Sequence, residues 1–213
     1  MTLASPAVPS NHSSASEPLS REDVVAAALR LTERDGIGAL TMRHLGTELG
    51  VSHMAAYKHV PGKEALAEMA ADAALGRVNR PSVDTDDWIS YLRQNAMATW
   101  EGLAPFPWVS SFMALRRVSS PNAEAFTADA LLVLGRSGFD RRVSLLIYGA
   151  FRDYVMGALT ARATPPRRKR RSPKDRRGTS EGPEDLHADD YFRFGLERLL
   201  DGLQLTHGKG ARA

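Results

Sequence analysis

Apolar residues recur three and four positions apart along most of this chain, which is the spacing of one buried face of an α-helix. The first such segment covers about 21–35, where Ser20 can cap the helix with Asp23 three residues on, and Gly36 can close it. No segment shows the sustained alternation of apolar and polar residues that is typical of a half-buried strand. The pattern therefore predicts an all-α protein.

Six more helices are expected beyond residue 60, because each apolar segment there has a start signal of its own. Their expected positions are about 63–78, from Trp88 after Asp84–Asp87, from Pro105 or Pro107, from Pro121 after Ser120, about 141–163 after Asp140, and from Tyr191 after the capping pair Asp189 and Asp190. Such a series of helices is long enough to form a second domain with a core of its own.

Two short helices around a Gly-Val-Ser turn are predicted between Thr41 and Lys63. Gly50 occupies the place where a helix ends in a left-handed residue, and Ser52 can cap the next helix, which is expected to run to about His59. Helices joined this tightly meet at a steep angle, as in a helix-turn-helix, whose second helix lies in the DNA major groove. The turn therefore predicts a DNA-reading unit.

The stretch from Ser20 to about Arg77 resembles the N-terminal domain of the tetracycline-repressor (TetR) family of bacterial transcriptional regulators. The segments that carry the resemblance, in the family's order and spacing, are Ser20–Leu31, Gly36, Leu40–Arg43, Gly50–Ser52, Ala56–Val60 and Lys63–Leu66. The resemblance implies phosphate contacts for Thr41, Tyr57, His59 and Lys63, and base-reaching positions for Arg43, His53 and Met54. With the cap Ser52, these residues form the predicted DNA-binding set.

Elementary electrostatics agrees with these phosphate contacts. A helix N-terminus exposes unpaired amides and a partial positive charge, so Thr41 and the helix start at Lys63 suit phosphate groups. Such contacts fix the register of a protein on DNA but carry little sequence information. The alternatives are that Tyr57 is a core aromatic residue, that Lys63 is a solvated charge, and that His53 and His59 are merely exposed polar residues.

Length and composition fit two domains, one at 20–78 and a larger one at 84–207, in 213 residues of which 43% are hydrophobic. Residues 1–19 are rich in Ser, Pro and Ala and lack both a basic start and an apolar stretch, so they are expected to form a disordered leader. Cysteine is absent, which excludes a disulfide framework and a thiolate nucleophile. We expect a soluble cytoplasmic protein.

The positive charge of the chain is concentrated in one segment. Residues 167–177 hold eight basic side chains against Asp175 alone, a net +7, which leaves −4 for the rest of a chain whose total is +3. The surrounding segment 164–187 is rich in Pro, Gly, Ser and charge, and is expected to be a disordered loop. It is either a solvated connector or a nonspecific contact with flanking DNA.

Two later helices carry more apolar surface than one small domain needs. In the helix at 141–163, the small residues Gly149, Ala150, Gly157 and Ala158 permit close helix packing. The segment Phe192–Leu203 resembles the last helix of TetR-type C-terminal domains, which implies a four-helix dimer interface. A homodimer would place two recognition helices about 34–36 Å apart and read an inverted repeat.

The middle helices supply residues for an effector pocket, since pockets are mostly apolar with a few polar groups. The candidates are Trp88, Met97, Trp100, Trp108, Phe112, Met113, Tyr148 and Met156, with Arg116 or Arg152 as polar anchors. The alternative is that most of these residues are core. The resemblance implies that a bound ligand shifts the helix at 63–78 and so moves the recognition helices out of register.

Catalytic motifs are absent from the sequence. Gly62-Lys63 lacks the flanking residues of a phosphate loop, the six histidines show no metal-ligand spacing, and there is no nucleophile elbow. The sequence therefore predicts no enzyme, metal or cofactor, and favours a ligand-responsive repressor. Two alternatives stay open: a helical small-molecule-binding protein or enzyme with a vestigial helix-turn-helix, and an activator or nucleoid-type DNA binder.

Overall fold

The computed structural model describes residues 19–116, 120–164 and 187–210, and within them the side chains of all residues but His53, Arg116 and 206–210. The regular elements of these ranges are helical, as predicted: α1 Arg21–Asp35, a 3-10 turn Ile37–Ala39, α2 Met42–Leu49, α3 His53–Ala56, α4 Lys63–Gly76, α5 Trp88–Gly102, α6 Trp108–Arg116, α7 Pro121–Arg136, α8 Arg141–Ala163 and α9 Ala188–Gly210. The predicted leader and basic loop lie outside the described residues, apart from Leu19, Thr164 and His187.

Helix α1 has the bounds and the caps that the sequence predicts. The Ser20 hydroxyl accepts a hydrogen bond from the Asp23 amide at 3.0 Å, and the Asp23 carboxylate accepts one from the Ser20 amide at 2.9 Å. This reciprocal box satisfies two otherwise unpaired donors and holds the pKa of Asp23 below its usual value. Gly36 ends the helix with φ 74°, a conformation that favours glycine.

The turn between α2 and α3 is the tight turn that its residues predict. Gly50 is left-handed, with φ 66° and ψ 23°, and the Ser52 hydroxyl accepts from the Ala55 amide at 3.2 Å. At the other end of α2, the Thr41 hydroxyl accepts from the His44 amide at 3.1 Å. Leu40 and Leu45 are fully buried and anchor the unit on α1.

Helix α3 is shorter than expected, since it ends at Ala56 and not at His59. The amides of Lys58 and His59 bond to carbonyls three residues back, at 3.2 and 3.1 Å, so the chain tightens into turns. Pro61 also disfavours a helical conformation at the residue before it. Helix α4 likewise ends at Gly76, two residues earlier than expected.

Helix α8 lies at the centre of the larger domain and packs against α5, α6, α7 and α9. Helix α4 contacts α1 on one side and α7 on the other, so it joins the two domains. Arg93 on α5 donates two hydrogen bonds to Glu197 on α9, at 2.7 and 2.8 Å. In the described part of the chain, no helix combines the length and the apolar character needed to cross a bilayer.

Helix α9 starts before the predicted caps. It begins at Ala188, so Asp189 and Asp190 lie within its first turn. The Asp190 carboxylate accepts from the His187 amide at 2.9 Å, and the Asp189 carboxylate accepts from the indole N–H of Trp100 at 3.0 Å. Both carboxylates therefore accept hydrogen bonds, but neither aspartate occupies the N-cap position that the sequence suggested, because the helix begins at Ala188.

Candidate DNA-binding surface and effector cavity

The predicted DNA-binding residues lie on α2 and α3, at the caps that precede these helices, in the turn after α3 and at the start of α4. Arg43, Ser52 and Lys63 are exposed, and Thr41 and His59 are half-buried. The side chain of His53 lies outside the described residues, although its backbone is the first residue of α3. One short stretch of chain thus presents two cations and several hydroxyl groups to solvent.

Two large side chains of α3 and the turn after it are exposed, contrary to their apolar character. Met54 is 63% exposed and Tyr57 is 45% exposed, so Tyr57 is not a core aromatic residue. Both line a shallow surface depression together with Ser52, Ala55 and Lys58. The structure therefore brings three of the predicted residues into one surface patch.

Lys58 is a basic residue of this patch that the sequence reasoning did not single out. It is exposed and lies beside Tyr57 in the same depression. Its position between Tyr57 and His59, two predicted phosphate contacts, could have indicated that Lys58 also contacts DNA. With Arg43 and Lys63, it gives the surface three exposed cations suited to a phosphate backbone.

Ion pairs hold α2 against α1 behind this surface. Glu48 on α2 accepts hydrogen bonds from Arg30 at 3.0 Å and from Arg34 at 3.3 Å, both on α1. The hydrogen bond from Arg30, followed by that from Arg34, holds the pKa of Glu48 below its usual value. These bonds fix the angle at which α2 presents Arg43.

A cavity of about 1120 Å³ lies in the larger domain between α5, α6, α7 and α8, with Leu75 of α4 in its wall. Its apolar lining includes Met113, Phe126, Leu131, Phe151 and Met156. Its polar lining consists of Asn95, Thr99, Glu124, Thr127, Arg141, Tyr148, Arg152 and Asp153. A mostly apolar wall with a few polar groups is typical of a small-molecule site.

The polar groups of the cavity differ in their exposure. Asn95 and Tyr148 are buried, and burial raises the pKa of the Tyr148 hydroxyl, so Tyr148 stays neutral at ordinary pH. Arg152 is exposed and donates to the Asp153 carboxylate at 2.8 and 3.0 Å. The interior thus offers neutral hydrogen-bonding groups, while charged groups stand at the solvent side.

Two of the predicted effector residues, Tyr148 and Arg152, line the cavity, as do the further candidates Met113 and Met156. The three tryptophans do not line it. Each tryptophan is buried against another ring: Trp88 on Phe139 at 5.1 Å, Trp100 on Phe192 at 4.1 Å and Trp108 on Phe112 at 5.7 Å between centroids. Met97 is half-buried against the core, and the side chain of Arg116 lies outside the described residues.

Sequence reasoning missed Asn95 and Thr99, two polar residues on the apolar face of α5. Both are buried, and the Thr99 hydroxyl donates to the Asn95 carbonyl at 2.8 Å. Polar side chains four residues apart at core-facing positions were the available signal. In the part of the chain that is described, no group of three or more His, Cys, Asp or Glu side chains could hold a metal ion.

One face of α8 and α9 is apolar and exposed. Leu146, Phe194 and Leu205 are 65%, 71% and 70% exposed. Gly149 and Gly157 have open space where a Cβ atom would stand. An exposed patch of large apolar side chains beside small residues is the kind of surface that another helix pair covers.

Two family models match the chain. The model described as bacterial regulatory proteins, tetR family, matches residues 24–70, and the model of the tetracyclin repressor-like C-terminal domain matches residues 80–206. The gap between the two matches, residues 71–79, covers the last six residues of α4 and the segment that follows it.

Two curated relatives are regulators of transcription. An HTH-type transcriptional regulator of Saccharopolyspora erythraea is 29% identical over 143 residues, which are 67% of this chain and 61% of that protein. The HTH-type transcriptional repressor DrrR1 of Streptomyces coeruleorubidus is 28% identical over 216 residues, covering 88% of this chain and 78% of that protein.

Solved structures share the fold over nearly their whole length. A TetR variant of Acinetobacter baumannii AYE in complex with minocycline superposes with a TM-score of 0.70 at 28% identity, over 88% of this chain and 98% of that chain. BioQ, solved with its double-stranded DNA operator, superposes with a TM-score of 0.66 at 25% identity, over 87% and 98%. Because the C-terminal family model alone spans more than half of the sequence, the chain belongs to the tetR family of bacterial regulatory proteins and is a DNA-binding transcriptional regulator, not an enzyme.

Proposed function

We propose that this regulator is a homodimeric cytoplasmic repressor that binds an inverted-repeat operator and leaves it when a small molecule occupies the cavity. The observation that carries the proposal is that α4 belongs to both sites. Lys63, its first residue, is exposed and follows the end of α3 by seven residues, and Leu75 lines the cavity. At 1.5 Å per residue, about 18 Å of helix separate the two residues.

The proposed DNA contacts divide by chemistry. Thr41 and Lys63 at helix starts, with Tyr57 and His59, bind phosphate groups and set the register. Arg43, His53 and Met54 reach base edges, where the guanidinium of Arg43 can donate two hydrogen bonds to a guanine. Ser52 fixes the start of α3, and Lys58 adds a phosphate contact beside Tyr57.

The proposed effector is a largely apolar, drug-sized molecule with oxygen or nitrogen atoms that pair with the neutral groups of the wall. A volume of about 1120 Å³ exceeds what one drug-sized ligand needs. The solved TetR variant of Acinetobacter baumannii holds minocycline. Among the described residues that line the cavity there is no histidine.

The release mechanism follows from differential affinity. DNA binding requires one spacing between two recognition helices, and a ligand that prefers another spacing shifts the population away from it. The coupling is reciprocal, so operator DNA must weaken ligand binding by the same factor. Since α4 lines the cavity at Leu75, movement of its C-terminal end is the proposed route between the sites.

The proposed dimer forms through the exposed faces of α8 and α9. Regulators of this family act as dimers. Leu146 and Phe194 would be covered, and Gly149 and Gly157 would allow the partner's helices to approach closely. A two-fold axis there relates two recognition units, which matches an operator made of inverted half-sites.

The decisive experiment selects bound duplexes from a randomised DNA pool with the purified protein at physiological salt. Enrichment of an inverted repeat is the expected result, and the enriched duplex then serves to screen small molecules for release. Binding without sequence preference would favour a nucleoid-type DNA binder. A folded dimer that binds no duplex would contradict the proposed function.

A further inference from the structure

The first turn of α7 is capped by a residue of α4. Ser120, the residue before α7, makes no capping hydrogen bond with its side chain. Instead, the Asp72 carboxylate on α4 accepts a hydrogen bond from the Asn122 amide at 2.8 Å. An acidic side chain at a helix N-terminus satisfies an unpaired donor and complements the helix dipole. The start of α7 therefore depends on the position of α4.

The side chain of Asn122 adds two hydrogen bonds to the same contact. Its amide nitrogen donates to the Asp72 carboxylate at 3.0 Å and to the Asp72 backbone carbonyl at 3.0 Å. Gly76, one turn further along α4, packs so closely that a Cβ atom there would stand 3.1 Å from Asn122. The two helices are thus joined by three hydrogen bonds at a close approach.

The segment after α4 ties to the same helix further along. Arg80 donates to the Asp129 carboxylate at 2.8 Å, and its guanidinium lies over the ring of Phe126 at 5.7 Å. These contacts hold the middle of α7, while the Asp72–Asn122 contact holds its first turn. A displacement of the whole of α7 would therefore disturb both the Asp72–Asn122 contact and the Arg80–Asp129 contact.

The cavity begins directly beside the Asp72–Asn122 contact. Ala123 and Glu124, the next two residues of α7, line the cavity, and so do Phe126 and Thr127 one turn later. We propose that Asp72 is the positioning residue that couples the cavity to the DNA-binding surface, by holding the cavity-lining first turn of α7 on the connector helix α4. This inference rests on the proposed function and assigns its coupling to one contact.

The Asp72–Asn122 contact can transmit a displacement between α7 and α4 because it is strong. Hydrogen bonds to an ionised carboxylate are stronger than neutral ones, and the Asp72–Asn122 contact is partly buried. A ligand that displaces the first turn of α7 must move α4 with it or break these bonds. By reciprocity, DNA that fixes α4 must change the local opening of the first turn of α7.

Amide hydrogen exchange with and without operator duplex tests the coupling and requires no effector. The duplex is the one enriched from the randomised pool, used at a saturating concentration for each variant. In the parent protein, DNA should slow exchange of amides 122–127 by about fivefold or more. In Asp72→Ala the DNA-dependent change should fall below about twofold, and Asp72→Asn, which keeps one acceptor oxygen, should lie between.

Glu197→Gln is the matched control, because it weakens another pair that joins two helices, Arg93 on α5 with Glu197 on α9, and neither helix is α4. It should retain the parent's DNA-dependent change. The inference is overturned if Asp72→Ala and Asp72→Asn keep that change, or if the parent binds DNA without showing it. If Asp72→Ala unfolds, Asp72→Asn decides. A parent that binds no duplex at all would overturn the proposed function itself.

Discussion

The DNA-binding surface and the effector cavity are built in opposite ways. The surface takes its side chains from one segment of 23 consecutive residues, 41–63, and its large or charged members Arg43, Met54, Tyr57, Lys58 and Lys63 are exposed. The cavity takes its lining from five helices between Leu75 and Met156, and many of its residues are buried. A reading surface can therefore be set by short-range turn chemistry, whereas a cavity is the space left by the packing of distant segments.

The largest expected effect is a loss of stability in a Trp100 variant, which tests whether Trp100 belongs to the core or to the cavity. Trp100 stacks on Phe192, lies under the Arg162 guanidinium at 4.5 Å and donates to Asp189. Trp100→Ala should lower the free energy of unfolding by about 3–5 kcal/mol. Urea denaturation measures the loss. Trp100→Phe, which keeps a stacked ring, should lose less.

One outcome for Trp100 would contradict its assignment to the core rather than to the effector cavity. If Trp100→Ala left stability unchanged but abolished release by an effector, Trp100 would be a ligand contact, as the sequence suggested, and its stack on Phe192 would not be core packing. The comparison therefore depends on measuring stability and release in the same variant.

The sequence predicts the DNA-reading unit well because its signals are local. The left-handed Gly50 and the caps Ser20, Thr41 and Ser52 act within four residues, so their positions fix helix starts and the turn. The end of α3 was predicted too late, since the tightening at Lys58 and His59 depends on how the segment packs before Pro61.

The cavity was predicted less completely because its lining depends on contacts between distant segments. Trp88, Trp100 and Trp108 are residues of the type that lines ligand pockets, but each packs against another aromatic ring. For Trp88 and Trp100 that ring lies far along the chain, and for Trp108 it lies on the same helix. Asn95 and Thr99 face the cavity only because α5 packs with that face inward. Asp72, likewise, becomes a cap only once α7 stands beside α4.

The next expected effect tests the exposed surface. Arg43→Ala should weaken the free energy of binding to the enriched operator by about 1–3 kcal/mol. It should also reduce the preference for one base at a single position of the operator. Lys63→Ala should weaken all sequences alike and lower the salt slope by about 1, because it removes a phosphate contact. Fluorescence anisotropy over a salt series measures both.

Arg142→Ala is the control for these two variants, since it removes an exposed cation of the larger domain. It should leave DNA affinity within measurement error. Equal losses on every sequence for Arg43→Ala and Lys63→Ala would contradict the assignment of Arg43 to bases.

A smaller effect concerns the buried phenols of the larger domain. Burial raises the pKa of Tyr91 to about 12. The unfolded chain, with an ordinary pKa of about 10, therefore loses its proton first. The contribution of Tyr91 to stability should be full below pH 10 and should be lost as pH rises from about 10 through about 12. Thermal melting across this range measures the fall, and Tyr91→Phe should flatten it; an equally steep fall in Tyr91→Phe would assign it to another group.

The smallest effect lies on the DNA-binding side, where ion pairs and not burial control ionisation. Arg30 and Arg34 hold the pKa of Glu48 below its usual value, so the folded state binds fewer protons there than the unfolded state. The stabilisation is present above the ordinary pKa of 4.5 and is lost as pH falls through the lowered value. Glu48→Gln should melt slightly below the parent at pH 7, and the difference should vanish in acid. Because both arginines of these ion pairs are exposed, added salt should shrink the difference as well, whereas the alkaline effect of Tyr91 should persist in salt. If salt instead left the Glu48 difference intact, the α1–α2 junction would resemble the buried core, and the contrast between the two regions would not extend to their electrostatics.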